Sequence, residues 1–309
     1  MTTAFITHRD CLKHDMGAHH PECPERLGAI EDQLIASGVA QYLARYEAPL
    51  ASDEQLARVH PIEYVRAIRE VAPAHGTMHL DPDTAMNPYS LAAALRAAGA
   101  AVLATDLVVS GEAENAFCAV RPPGHHACRA RPMGFCIFNN VAVAARHAVR
   151  MHGLERVAII DFDVHHGNGT EDIFAHDENV LMASTFQHPF YPYSGTEDPA
   201  PNMVNVPLAA GAGSKEFREA VSEAWVPALE AFQPQLVIFS AGFDAHAEDD
   251  MAMLRLVDAD YGWATAQVKA VAERSAGGRI VSVLEGGYAL SALGRSVVQH
   301  LRVLAGLNA

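Results

Sequence analysis

Four short, nearly continuous apolar runs in this chain each break off into polar side chains of the kind that hold ions and move protons. Ala116–Val120 runs into Arg121-Pro-Pro-Gly-His125-His126. Val157–Phe162 carries Asp161 near its end and leads into Asp163, His165, His166 and Asn168. Leu236–Ser240 leads to Asp244 and His246, and Ile280–Leu284 to Glu285-Gly-Gly-Tyr288. Such runs are what strands buried on both faces require. Two more, Ala4–Thr7 and Val180–Ser184, share the character. Helical patterns cover Pro24–Ser37, Pro61–Val71, Ser90–Val109, Asn139–Met151, Lys215–Phe232, Ala259–Arg274 and Ala289–Leu304. Pro24 suits a first helical turn, and Ser90 is expected as an N-cap. Strands alternating with helices predict an α/β fold with a mostly parallel sheet covered on both sides. In such sheets ligands bind beyond the carboxyl ends of the strands. Segments from 121 to 288 must meet there, so one domain over residues 1–309 is expected. The Pro-rich stretch His188–Pro207 lacks periodicity and reads as a long functional loop.

Composition fits a globular protein with a large core. Of 309 residues, 50% are hydrophobic and 19% charged, which excludes a disordered chain. Lys and Arg total 22 against 37 Asp and Glu, a formal charge of −15. A surface so acidic repels phosphate backbones and attracts cations, so nucleic acid is not an expected partner, whereas lysine-rich peptides and polyamines are compatible. The five cysteines form no CxxC pair, which argues against a disulfide framework or zinc ribbon and for a reducing, cytoplasmic setting. No basic start followed by an apolar core opens the chain, and no continuous apolar run approaches a membrane span. A homo-oligomer is left open.

Side chains alternate along an extended chain, so Asp161, Asp163 and His165 share one face. Asp163 and His165, joined by Asp244 from another strand end, supply two carboxylates and an imidazole. Three protein ligands with an open position suit a catalytic metal. Zn²⁺ is the first expectation, and oxygen-rich ligation also suits Fe²⁺, Co²⁺ or Mn²⁺. An isolated Asp-x-His is more often a capped strand end; Asp244 and the histidine pair at the same edge are what lift it above that reading. His125-His126 follow a stiff Pro-Pro and a glycine, and beside a metal they supply a general base and a second proton-transfer group. Asp161 is placed to orient one of them. Tyr288, after two glycines, can donate to an oxyanion, although a tyrosine in such a turn can also simply be packed. Together these groups suit the hydrolysis of an amide.

Arg-Pro-Pro-Gly-His125-His126, Gly134-Phe-Cys-Ile-Phe-Asn-Asn140, Asp161-Phe-Asp-Val-His-His-Gly-Asn-Gly169, Ser240-Ala-Gly-Phe-Asp-Ala-His246 and Leu284-Glu-Gly-Gly-Tyr288 occur in this order. With His20-Pro-Glu-Cys-Pro-Glu-Arg26, the set resembles the histone deacetylase family, which includes bacterial deacetylase-like amidohydrolases, acetylpolyamine amidohydrolases and acetoin utilisation proteins. The resemblance implies an arginase-like three-layer α/β fold with a central eight-stranded sheet. It also implies zinc-dependent removal of acetyl or other acyl groups from acyl-lysine or a related amine by metal-activated water. By motif, Asp163, His165 and Asp244 resemble the zinc ligands, His125 and His126 the tandem histidines, Asp161 the partner of the first, and Tyr288 the transition-state tyrosine. Asn168 stands where part of the family carries Asp, making the chain class II-like. The neutral amide should leave His126 the less basic ring, so His126 is expected as neutral base and His125 as the cationic partner.

The resemblance further implies Phe135 as one wall of an acyl-lysine tunnel and the Gly134 carbonyl as acceptor for the substrate amide. It places Gly287 at the substrate, Arg26 at an internal product cavity and Tyr191 as the opposite wall. Monovalent cations, usually K⁺, are implied at an inner site (backbone oxygens of Asp161, Asp163, His165 and Thr185, with the Ser184 hydroxyl). An outer site would use the carbonyls of Phe174, Asp177 and Val180. Met251 falls where polyamine-specialised members carry an acidic gatekeeper, which favours acyl-lysine over acetylpolyamine substrates. The Glu248-Asp249-Asp250 turn reads as solvated, or, folded toward a site mouth, as a feature that attracts a cationic substrate; His166 and His246 read as structural, and Phe174, Trp225 and Trp263 as core. An acetylpolyamine or other small-molecule deacetylase is the alternative. A ureohydrolase would need a further carboxylate where Gly167-Asn168-Gly169 stands, and an inactive binding module would be expected to have lost Tyr288 or a ligand.

Overall fold

A computed structural model describes residues 2–307. In chain order its strands are β1 (Thr3–Thr7), β2 (Leu43–Glu47), β3 (Met78–His79), β4 (Ala85–Met86), β5 (Asn115–Cys118), β6 (Val157–Asp161), β7 (Val180–Gln187), β8 (Met203–Leu208), β9 (Leu236–Ala241) and β10 (Ile280–Leu284). Its helices are α1 (Glu25–Ala36), α2 (Asp53–Leu56), α3 (Ile62–Val71), α4 (Ser90–Ser110), α5 (Asn140–His152), α6 (Asn168–Phe174), α7 (Ser214–Ala220), α8 (Val226–Phe232), α9 (Asp258–Ser275) and α10 (Leu290–Leu304). Eight strands form one sheet in the order β2-β1-β5-β10-β9-β6-β7-β8. Every pairing in it is parallel; β3 and β4 make a separate antiparallel pair.

The six sequence-predicted strands are the six inner ones, because only strands covered on both faces are apolar throughout. β6, β9 and β10 are buried at every residue. The two strands of this sheet that the apolar runs do not reveal, β2 and β8, are its edges, and those runs do not reveal the short pair β3 and β4 either. β8 occupies the end of the stretch read as loop; Asn205 and Pro207 mask its pattern, and an edge tolerates proline. The short helix α6 also escaped notice, since it opens inside Gly167-Asn168-Gly169.

Helix α4 is Ala-, Leu- and Val-rich on all sides, which demands burial rather than one apolar stripe. It is long and apolar enough to cross a membrane by length and composition, yet it is mostly buried inside the protein. It packs on β1, β5, β10 and α5, and α5 continues over β9 and β6; α1, α10, α9 and α8 form a second packed row. Ser90 is not the N-cap of α4. Tyr89 holds that position, and the Ser90 hydroxyl accepts from the Asn87 N–H at 2.8 Å and meets His14 Nδ1 at 2.7 Å. The helix expected over Lys215–Phe232 is interrupted by a π turn, Val221–Trp225. Pro227 follows two residues after it; it lacks an N–H and crowds the preceding turn, and one wider turn absorbs the mismatch.

Candidate active site

In-register pairing sets the ends of β5, β10, β9 and β6 side by side: Ser240 pairs with both Asp161 and Val283, and Val283 with Cys118. The polar segments after these strands therefore meet at one edge. Ligating atoms of Asp163, His165 and Asp244 lie within 4.8 Å of one another, and all three residues are buried. Asp163 accepts from the His165 N–H at 2.9 Å and the Gly286 N–H at 2.9 Å. Asp244 Oδ1 accepts from the Val164 N–H at 2.9 Å. Asp244 Oδ2 is buried without a hydrogen bond, though His165 Nδ1 stands 3.2 Å away. A Cβ on Gly286 would come within 2.1 Å of that oxygen, so glycine is required there. Burial, then the charge of Asp163, pushes the Asp244 carboxyl up to about 7. Burial should lower His165, but its hydrogen bond to Asp163 and the adjacent Asp244 carboxylate push it up to about 10. Two adjacent carboxylates out of water, one with an unpartnered oxygen, need a cation, and an imidazole beside them makes the set fit a divalent transition metal.

His125 Nδ1 meets Asp161 Oδ2 at 3.0 Å, and His126 Nδ1 meets Asn168 Oδ1 at 2.7 Å. The two rings lie 4.0 Å apart. Asn168 turns its amide N–H₂ toward the sulfurs of Cys128 and Met133, at 3.4 and 3.3 Å. Its oxygen therefore faces His126, which must donate from Nδ1 and keep a lone pair on Nε2. Burial and the neighbouring His125 and His165 charges hold His126 well below the usual imidazole range. Burial opposes a charge on His125 too, but Asp163, Asp161 and Glu285 raise it well above that range. The turn carrying both is held by Glu285, whose carboxylate accepts from the Gly124 and His125 N–H groups at 2.6 and 3.1 Å.

A cavity of about 210 Å³ opens over these groups, lined by Asp83, His126, Gly134, Phe135, His165, Phe190, Tyr191, Met251 and Tyr288. Phe135 is presented by a two-residue turn whose flanks, Met133 and Cys136, exchange both backbone hydrogen bonds at 3.2 and 2.9 Å. Gly134 and Phe135 both have positive φ, 57° and 67°, as a tight hairpin turn of this kind demands. A Cβ on Gly134 would come within 2.3 Å of the His126 ring. The Gly134 carbonyl accepts from the Cys136 thiol at 3.2 Å. Tyr191 stands edge-on to His126, with ring centres 5.3 Å apart.

Tyr288 is fixed from behind and below. Asp249 accepts from the Tyr288 and Ala289 N–H groups at 2.6 and 3.0 Å, and the Arg26 guanidinium lies 5.0 Å over its ring. Arg26 is fully buried and donates to the Gly287 carbonyl at 2.6 Å, to the Glu285 carbonyl, and to Glu22 at 3.0 Å.

Residues 20–304 match the family model described as the histone deacetylase domain. The chain is 41% identical to a histone deacetylase-like amidohydrolase of Pseudomonas aeruginosa, over 93% of this chain and 81% of that protein. The chain belongs to the histone deacetylase family. It is 36% identical to the human polyamine deacetylase HDAC10, over 99% of this chain but 48% of that protein. The crystal structure of the HDA15 HD domain superposes with a TM-score of 0.93 at 36% identity, over 99% of this chain and 88% of that one. The chain is thus a hydrolytic deacetylase of a metal-dependent family with an arginase-like α/β fold.

The deacetylase site gathers most of the residues marked out by the sequence motifs. Two differ from expectation. The Glu248-Asp249-Asp250 turn is not simply solvated: Asp249 is buried beneath Tyr288. The carbonyls of Phe174, Asp177 and Val180 do converge, but on the side-chain amide of Asn202 rather than around a free centre. Asn168 bonds His126, so no bridging carboxylate of the ureohydrolase kind follows His165. His166 is structural as expected, bridging Ser194 and Glu171 at 2.8 and 2.7 Å. Among the described residues Asp106, His147 and His152 form a second ligand-type group. There Arg58 donates to His147 Nδ1, which puts the ring's proton on Nε2, bonded to Asp106 at 2.7 Å; the group is a hydrogen-bonded bridge between α4 and α5. Glu285, Asp249, Asp83 and Glu22 were missed as site residues. Glu285 carried a signal in its place beside Gly286-Gly287, Glu22 in its place within the His20–Arg26 motif and Asp249 in the acidic turn, whereas nothing marked Asp83.

Proposed function

We propose that this deacetylase removes acyl groups from lysine-type side chains, with Zn²⁺ held by Asp163, His165 and Asp244. A bound ion of this kind supplies Lewis acidity, polarising the amide carbonyl and making a water more acidic. The protein's own groups divide the proton work. His126, with its free Nε2 lone pair, takes the proton of the attacking water and returns it to the leaving amine as the C–N bond breaks. His125, kept cationic by Asp161, stabilises the negative charge that develops beside it. The Tyr288 hydroxyl donates to the former carbonyl oxygen. Phe135 and Tyr191 exclude water from the acyl-bearing chain, the Gly134 carbonyl accepts from the substrate amide, and Gly287 with Arg26 forms the floor below. K⁺ is proposed at the inner site of Asp161, Asp163, His165, Ser184 and Thr185. The Ser184 hydroxyl donates to Asn205 at 3.1 Å, which leaves its lone pairs for a cation. The five free thiols support a reducing cytoplasm, and the hydrophobic cluster that runs through the described residues supports one domain.

The observation that carries the substrate reading is Met251, which lines the cavity. It packs on an alkyl chain but pairs with no distant ammonium. Two of its acidic neighbours are engaged elsewhere: Glu248 pairs with Arg295 at 2.6 Å, and Asp249 is committed to Tyr288 and Ala289. The alternative, an acetylpolyamine substrate, is favoured by Asp83 in the cavity lining and by the likeness to a polyamine deacetylase. Met251→Glu should raise kcat/KM for N-acetylspermidine relative to an uncharged acetyl-lysine reporter by about 10-fold, the worth of one partly desolvated charge pair. A wild-type preference of about 100-fold for the polyamine, some 2.7 kcal/mol, would overturn the lysine assignment.

A further inference from the structure

The loop between α6 and β7 turns three carbonyls toward one point. Phe174, Asp177 and Val180 each place their backbone oxygen near Asn202 Nδ2, at 2.8, 3.1 and 2.9 Å. Their dipoles repel one another, so a positive group must sit between them. In this chain that group is an amide N–H₂. Its orientation is fixed from the other end, because Asn202 Oδ1 accepts from the His176 N–H at 3.0 Å. Exchanging the amide's N and O would set an oxygen against three oxygens and a carbonyl-free N–H₂ against a donor. The Asn202 main chain is held as well, its carbonyl accepting from the Met182 N–H at 2.9 Å. Two hydrogens serve three acceptors, so one is shared. Each acceptor has lone pairs enough: Phe174 O also takes the Asp177 N–H at 2.9 Å, and Asp177 O the Val180 N–H at 3.1 Å.

These residues do not fit a monovalent cation, since its coordination centre is filled by a covalently tethered donor. We propose that the Asn202 amide replaces the outer monovalent cation that the family resemblance implies. The loop is then closed without potassium. Its closure matters for the site, because it joins α6, which begins at Asn168, to β7, which carries Ser184 and Thr185. Potassium dependence of folding should accordingly come from the inner position alone.

Thallium(I), a potassium mimic with strong anomalous scattering, tests this directly in crystals of the whole chain. The wild type should show no thallium within bonding distance of the Phe174, Asp177 and Val180 oxygens. Asn202→Ala, which deletes the amide and leaves the carbonyls, should gain a thallium there. Thallium on those carbonyls in the wild type, or none in the variant, would overturn the proposal. Asn202→Asp keeps the shape but faces three carbonyls with a carboxylate. Its melting temperature should rise more steeply with KCl, measured against choline chloride at equal ionic strength, than that of the wild type. Equal dependence in both proteins would contradict the proposal.

Discussion

Tyr288 is held from three sides by groups distant in the chain: Asp249 takes its backbone N–H, Arg26 covers its ring, and Phe135 stands edge-on at 6.0 Å. Such fixing is expected of a side chain whose hydroxyl must meet a developing charge without reorganising. Tyr288→Phe keeps the ring and its packing and removes only the donor. Turnover should fall by about 100-fold or more while substrate KM changes little; an unchanged turnover number would make Tyr288 a packing residue. At this scale the sequence was legible where polar residues cluster in short motifs, as at His125-His126 or Asp161–His165. It was silent where a residue's partner is far away. Nothing in the sequence near Asn202 announces the Phe174–Val180 carbonyls, and nothing near Glu22 announces Arg121.

Among the elements, α10 shows how the fold aims a residue. Its N-terminal approach carries Tyr288, and the Asp249 carboxylate serves two N–H groups there that the helix cannot. Burial raises the Asp249 carboxyl, partly countered by those same hydrogen bonds. Asp249→Ala leaves the Tyr288, Ala289 and Met251 N–H groups without their acceptor, and should cost about 3 kcal/mol by denaturant unfolding, in line with a charge-assisted hydrogen bond. It should also lower turnover more than Asp249→Asn does, because the tyrosine loses its anchor. Equal activity of both variants with the wild type would show that Tyr288 is held by Arg26 and packing alone. The inner strands could be read from apolar runs because both their faces are covered. β2 and β8 could not, since an edge strand shows the mixed surface of Leu-Ala-Arg-Tyr-Glu or Met-Val-Asn-Val-Pro-Leu.

Across the whole molecule, the N-terminal segment is tied to the sheet edge by one buried ion network. Glu22 is fully buried and engages Arg121 through Nε and Nη2, the latter at 2.7 Å, and Arg26 at 3.0 Å, with His14 Nε2 at 3.3 Å. Burial opposes its charge, but Arg121, His14 and Arg26 together hold the carboxyl well below its usual value. Its contribution is therefore fully present above an unfolded carboxyl's pKa of about 4.3 and is lost as pH falls below that. Glu22→Gln leaves two buried guanidiniums without a counter-charge and should cost about 3–5 kcal/mol at pH 7. The gap between wild type and variant in urea unfolding should stay constant from neutral pH to about pH 5 and narrow in stronger acid. A gap that widened in acid would contradict the charge assignment. Retention of one catalytic transition metal by Asp163, His165 and Asp244 is the premise on which the proposed chemistry rests. It is tested most directly by measuring metal content and acetyl-lysine hydrolysis together, in wild type and Asp244→Ala, after exhaustive chelation and stepwise return of Zn²⁺. The wild type should lose both, regaining activity in proportion to metal up to one ion per chain, while Asp244→Ala should regain neither. Full hydrolysis by the wild type with no residual metal would rule out a catalytic metal at these ligands.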